Sequence, residues 1–359
     1  MEAPSPHKQL RLFHLLIIAG LGGIALMIFL LRTTQFQSLN RETTQTIPVV
    51  SSEKEISFAA AGDYGTTQNA KDVFKTISNL SVDFALGLGD LSYGEVNERE
   101  WCKIVTDSLG TTFPFQLVAG NHDVIEDKDK SQGDIQSFAS CLPNRMSNMV
   151  GIYAQNYYFD QETLARIILI SPDISVKGRE YSFEKDSEDY MWLSDTIDDA
   201  RSKNIRWIIV GMHKNCITIG EKTCEIGTDL IDLLATKSVD LVLQGHEHGY
   251  SRTKQLTINE ACPALLPDSF KTSCVHEGDA MRYKKGEGSI IAIPGTGGAK
   301  LRDIDLGRPE GPYFAYYSGS NIDPAYGVTL VTISEGRLQG AFARTDGTKT
   351  DTFEIIASD

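Results

Sequence analysis

Val242-Leu243-Gln244-Gly245-His246-Glu247-His248 is the stretch on which the reading of this chain turns. The apolar run from Val239 to Leu243 has the composition of a buried strand, and it ends in a glycine and two histidines one residue apart. In open α/β sheets, chemistry sits in the loops at the carboxyl ends of strands. Neutral imidazole is a preferred ligand of zinc, iron and manganese. A lone H-x-H is ordinary surface loop, so the question is whether other strands also end in ligands.

Four of them do. Ile56 to Ala61 runs into Gly62-Asp63-Tyr64-Gly65, and Val82 to Leu88 into Gly89-Asp90-Leu91-Ser92-Tyr93-Gly94. Phe115 to Ala119 runs into Gly120-Asn121-His122-Asp123, and Trp207 to Met212 into His213. Apolar residues at helical spacing predict helices over 66–80, 98–109, 188–203 and 228–236. This alternation of strand, loop and helix predicts a parallel sheet with helices on its faces. The last third alternates strand and loop (289–293, 327–333, 336–344 and 352–356), which predicts a second, more antiparallel sheet packed on the first. The expected class is therefore an α/β sandwich of two sheets flanked by helices. Pro294-Gly295-Thr296-Gly297-Gly298-Ala299-Lys300 lacks the G-x-x-x-x-G-K-[ST] spacing of a phosphate loop and reads as a turn.

The net charge of −14 argues against nucleic acid as a main partner, because phosphate-backbone binding needs a basic face. It also means that a small anionic substrate must be captured by a local positive centre. Residues 13–31 form an uncharged apolar run that would span about 28 Å as a helix, roughly one hydrocarbon core. The expected organisation is a short cytoplasmic tail (1–12), a membrane anchor (13–31), a polar stalk (32–54) and a catalytic domain (55–359) outside the cytoplasm. Secretion after cleavage of 13–31 as a signal is the alternative. Six cysteines follow the apolar run, and six allow 15 pairings. Proximity in sequence favours Cys216 with Cys224 and Cys262 with Cys274, which leaves Cys102 with Cys141. Disulfides would put the domain in an oxidising compartment.

The strand ends bring together hard oxygen donors (Asp63, Asp90, Asn121), a phenol (Tyr93) and imidazoles (His213, His246, His248). Seven donors are too many for one zinc and suit two metal ions that share a carboxylate. At this point GDYG, GDLSY, GNHD, VGMH and GHEH resemble, in order and spacing, the motifs of the purple acid phosphatases within the calcineurin-like metallophosphoesterases. The resemblance implies an αββα fold and hydrolysis of phosphomonoesters by attack of a metal-bound hydroxide. It implies that Asp63, Tyr93 and His248 bind ferric iron, that Asp90 bridges, and that Asn121, His213 and His246 bind a divalent iron, zinc or manganese ion. His122 and Asp123 become the catalytic candidates, with His122, Asn121 and Lys214 on the substrate. Tyr93 separates this pattern from phosphodiesterases that begin D-x-H, since Asp63 is followed here by Tyr64-Gly65. The similar plant enzymes carry a further histidine after the VxxH motif. No histidine lies between His213 and His246 here, and Lys214 and Lys222 are the candidates to replace it. A phosphodiesterase or nucleotidase on the same metals, or a catalytically silent binding module, are the alternatives.

Overall fold

The computed structural model describes residues 54–125, 133–276, 278 and 280–357. The expected tail (1–12), anchor (13–31) and all but the last residue of the stalk (32–54) lie outside the described residues. Among the described residues no helix is long and apolar enough to cross a membrane.

The first half runs β1 (Ile56–Ala61), α1 (Gln68–Leu80), β2 (Phe84–Gly87), α2 (Glu98–Leu109), β3 (Phe115–Leu117), α3 (Ile135–Cys141), β4 (Val150–Gly151), β5 (Tyr157–Gln161) and β6 (Ala165–Leu169). A small hairpin, β7 (Ser175–Val176) and β8 (Arg179–Glu180), precedes α4 (Glu188–Ser202), β9 (Trp207–Gly211), α5 (Thr228–Thr236), β10 (Leu241–Leu243) and β11 (Tyr250–Thr253). The remainder is strand: β12 (Arg282–Lys284), β13 (Ile290–Pro294), β14 (Phe314–Ser318), β15 (Gly327–Ile333), β16 (Arg337–Arg344) and β17 (Lys349–Ile356).

Two mixed sheets result, ordered β12-β17-β16-β15-β1-β2-β3 and β14-β11-β13-β10-β9-β6-β5-β4. The motif-bearing strands do not form one parallel sheet, as the alternation with helices suggested. β1, β2 and β3 are parallel neighbours in the first sheet, while β9 and β10 lie in the second with β6 and β13. β15 completes the first sheet by pairing antiparallel with β1. An apolar run reports burial on both faces but not which sheet buries it, and that is why the split was hidden. The two sheets face each other across a shared core: Phe84 of β2 meets Phe159 of β5 with ring centroids 5.6 Å apart.

Aromatic packing holds the helices under the first three motif loops. Tyr64 stacks on Phe74 of α1 at 5.1 Å, and Trp101 of α2 packs edge-on against both. The Trp101 indole N–H donates to the Gly65 carbonyl at 3.2 Å, which ties α2 to the first loop. Cys102 is bonded to Cys141, Cys216 to Cys224 and Cys262 to Cys274, the pairings that proximity favoured.

A buried ion pair fixes the second sheet on the first. Arg252 of β11 binds Asp351 of β17 through Nε (2.8 Å) and Nη2 (2.6 Å), and the Tyr250 hydroxyl donates to the same carboxylate. Both charged side chains are almost completely enclosed. Removing one member of such a pair leaves a buried charge without a partner, at a cost of about 3–5 kcal/mol. Asp351→Ala should therefore lose about that much stability in urea unfolding, and a loss below about 1 kcal/mol, typical of exposed pairs, would contradict the cross-sheet role.

Candidate metal centre

Three of the five motif loops make a turn that most side chains resist. Asp63, Asp90, Tyr93 and His246 all have left-handed backbone, with φ of 62°, 54°, 53° and 71°. This conformation costs a non-glycine residue about 1–2 kcal/mol, and four of the predicted site residues adopt it. Glycines supply the close approach. A Cβ on Gly120 would stand 2.2 Å from an Asp90 oxygen, and one on Gly295 would stand 1.8 Å from the Glu247 carbonyl. The stretch from Pro294 to Lys300 is a turn, as its spacing implied, and it cradles the first motif: Gly297 N donates to Gly62 O and Ala299 N to Asp63 O.

The structure brings all seven expected ligands together. The Tyr93 hydroxyl lies 3.0 Å from Asp63 Oδ1 and 3.1 Å from His248 Nε2. A second group forms around His213, whose Nε2 is 3.1 Å from Asn121 Oδ1, 3.1 Å from His246 Nδ1 and 3.3 Å from Asp90 Oδ1. Asp90, His213 and His246 offer ligand atoms that all lie within 4.8 Å of one another.

The outward-facing nitrogens each meet an acceptor. His213 Nδ1 faces the Leu88 carbonyl at 2.8 Å and His248 Nδ1 the Lys300 carbonyl at 3.0 Å. His246 Nε2 faces the Glu225 carboxylate at 2.8 Å. Carbonyl and carboxylate oxygens only accept, so each outer nitrogen carries a proton, and the inner nitrogens are the ones left to face a metal cation once it displaces any proton they hold. Three inner imidazole nitrogens, two buried carboxylates, a phenol and an amide oxygen thus converge. Such a donor set fits metal cations.

Charge in the cluster points the same way. Burial pushes His213 down, but the charge and bond of Asp90 and the charge of Asp63 outweigh it and take the imidazole up to about 9. Burial pushes Asp90 up, yet His213 and His122 hold it well below the usual carboxylate range. Burial drives His246 down to about 4 and keeps it neutral. Tyr93 is raised well above its ordinary value by burial and then by the charges of Asp63 and Asp90. A phenolate here requires a strong cation beside it.

The other expected site residues stand apart from this set. The half-buried His122 ring is tilted over Tyr93 at 4.9 Å, and its backbone N–H donates to Asp90 Oδ1. Asp123 is fully buried and accepts from the backbone amides of Asp90, Leu91 and Gly120 at 2.7, 2.9 and 2.8 Å. Burial and the charge of Asp90 push its carboxyl up to about 6, against the pull of the amides of Leu91 and Gly120. Lys214 directs its amine to Asp173 and lies 3.3 Å from Glu225. Two carboxylates escaped the sequence reading. Glu225 binds His246, and Glu247, between the two histidines, accepts from the Thr218 hydroxyl and the amides of Glu221 and Lys222. Nothing local marks these bonds, since that of Glu225 to His246 spans 21 residues and those of Glu247 span 25 or more. Cavities of about 320 Å³ at Asn121 and about 480 Å³ at His248 open at the cluster.

Residues 56–250, more than half of the chain, match the family model for calcineurin-like phosphoesterases. The chain is 27% identical to purple acid phosphatase 21 of Arabidopsis thaliana over 266 residues, covering 70% of this chain and 58% of that one. It is 25% identical to purple acid phosphatase 22 of the same plant, covering 64% and 53% respectively. The chain thus spans about half the length of the curated relatives it matches. Its fold is similar to a purple acid phosphatase from yellow lupin (Lupinus luteus) seeds, with a TM-score of 0.63 at 17% identity, covering 85% of this chain and 54% of that one.

Asp123 organises the loops that carry Asp90 and Asn121, so its removal is a structural test of the site. Asp123→Ala strands three buried amides at about 1–3 kcal/mol each. Urea unfolding should show a loss of at least about 3 kcal/mol, and a variant as stable as wild type would refute the organising role.

Proposed function

The chain belongs to the calcineurin-like phosphoesterase family, and from that membership we propose that it is a binuclear metal-dependent phosphatase acting on small phosphomonoesters. One observation carries the reading: three imidazoles turn their inner nitrogens toward two buried carboxylates, a phenol and an amide oxygen. The likeness to purple acid phosphatases supports assigning Asp63, Tyr93 and His248 to a ferric ion. Asn121, His213 and His246 would hold a divalent iron, zinc or manganese ion, and Asp90 would be shared. Such a pair of ions supplies a water of lowered pKa and a Lewis acid for the ester oxygen.

The chain's own groups do the rest. Asp63 and Asp90 hold their loops through backbone amides: Asp63 accepts from His246 N at 2.8 Å and Asp90 from His122 N at 2.9 Å. His122, half-buried beside Tyr93, is suited to orient a phosphate and to hold the proton that the leaving group takes up. Asn121 borders the cavity of about 320 Å³ and could contact the ester there as well. Three disulfides favour an oxidising compartment. The run 13–31 would anchor the domain outside the cytoplasm or be removed as a signal.

The test compares wild type with Tyr93→Phe for metal content, visible absorption, and hydrolysis of p-nitrophenyl phosphate against its bis-ester. Wild type should hold two metals, show a purple or pink tyrosinate-to-iron band and prefer the monoester, and Tyr93→Phe should lose the band. Iron-loaded wild type without colour would remove Tyr93 from the ligand set, and preference for the bis-ester would replace phosphatase with phosphodiesterase.

A further inference from the structure

We infer that Glu225 is the positioning residue that fixes His246 for its metal, which ties the divalent half of the centre to the loop closed by Cys216–Cys224. The inference rests on reading the cluster as a metal centre. It goes beyond that reading by naming a group outside the ligand motifs.

The three histidines are secured differently. His213 and His248 each give their outer N–H to a neutral backbone carbonyl, whereas the outer nitrogen of His246 lies 2.8 Å from a carboxylate oxygen of Glu225. Bonds from an imidazole to a carboxylate are charge-assisted, about twice as strong as neutral ones, and they raise the basicity of the inner nitrogen. The bond also selects the tautomer. With the proton held on Nε2, Nδ1 must face His213 Nε2, 3.1 Å away.

Glu225 is itself held from several directions. It follows Cys224 directly, so the Cys216–Cys224 disulfide restrains its backbone. Its amide donates to the Asn215 carbonyl at 3.1 Å, and the Asn215 side chain donates to the Gly245 carbonyl, one residue before His246. Lys214 approaches its Oε2 at 3.3 Å and Lys222 its Oε1 at 3.9 Å. The same loop is pinned again from the histidine side, where Glu247 accepts from the Thr218 hydroxyl and the Glu221 amide. Two carboxylates therefore link the disulfide loop and the G-H-E-H loop in both directions. The lysines that sequence offered in place of a further histidine are partners of Glu225.

Loss of a ligand's outer partner weakens metal affinity about 10–100-fold. The test is calorimetric titration of zinc into the chelator-treated full-length chain as wild type, Glu225→Gln and Glu225→Ala, with the iron–tyrosinate band recorded after iron is restored. Glu225→Ala should bind zinc about 10–100-fold more weakly and keep the Tyr93 band. Glu225→Gln, which retains an acceptor oxygen without the charge, should fall between the two. It decides the matter if the alanine variant fails to fold. Wild-type zinc affinity in either folded variant overturns the inference, as does loss of the Tyr93 band along with zinc, because damage would then be general. Wild type that takes up no zinc would instead sink the metal-centre reading, and this inference with it.

Discussion

Asp63 and Asp90 are fully enclosed, and among the described residues neither bonds to a lysine or an arginine. A carboxylate removed from water costs several kcal/mol unless something positive replaces the solvent. Backbone amides and histidines supply part of that replacement. The loops meet this demand with the left-handed turns at Asp63, Asp90, Tyr93 and His246, each unfavourable in isolation. Local strain and buried charge coincide where the donor atoms meet. A fold selected for stability alone has no reason to put both in one place.

Holding such a cluster requires a rigid frame on two sides, and the paired sheets provide it. β1, β2 and β3 aim Asp63, Asp90 and Asn121 from the first sheet, while β9 and β10 aim His213 and His246 from the second. The two halves join at the site through main-chain bonds such as Gly62 N to Pro294 O at 3.0 Å. Away from the site they are joined by Arg252, four residues beyond His248 in the chain, and Asp351. An error in sheet-to-sheet placement would therefore be felt directly as a misplaced ligand.

Much of this was legible because the chemistry sits at strand ends. Apolar runs followed by Gly-Asp, Gly-Asn-His or Gly-His-x-His locate both the strand and the ligand, and the helices at 98–109 and 228–236 fall where periodicity put them. What escaped depends on long-range partners. Tyr250 to Thr253 is a fully buried strand, yet Tyr-Ser-Arg-Thr does not read as apolar, because its arginine is neutralised by Asp351 from another sheet. The distribution of motif strands over two sheets was hidden for the same reason. Left-handed turns at aspartate and histidine leave no trace in composition. Asp123 was expected as a catalytic group, but its carboxylate bonds to backbone amides.

The global charge of −14 makes the disposition of nearby cations decisive. Lys214 and Lys222 are the lysines closest in sequence to the VxxH histidine, and in a protein this acidic they are the obvious groups to attract a phosphate. Both instead approach Glu225, and Lys214 also pairs with Asp173. Their charge is spent on holding the carboxylate that holds His246. On the proposed reading, the attraction for an anion would come from cations held by the seven donors, with Lys300 and Arg302 lining the cavity at His248. Affinity for phosphate and occupancy of the centre would then be closely linked. The lysines contribute to it indirectly, through the glutamate between them.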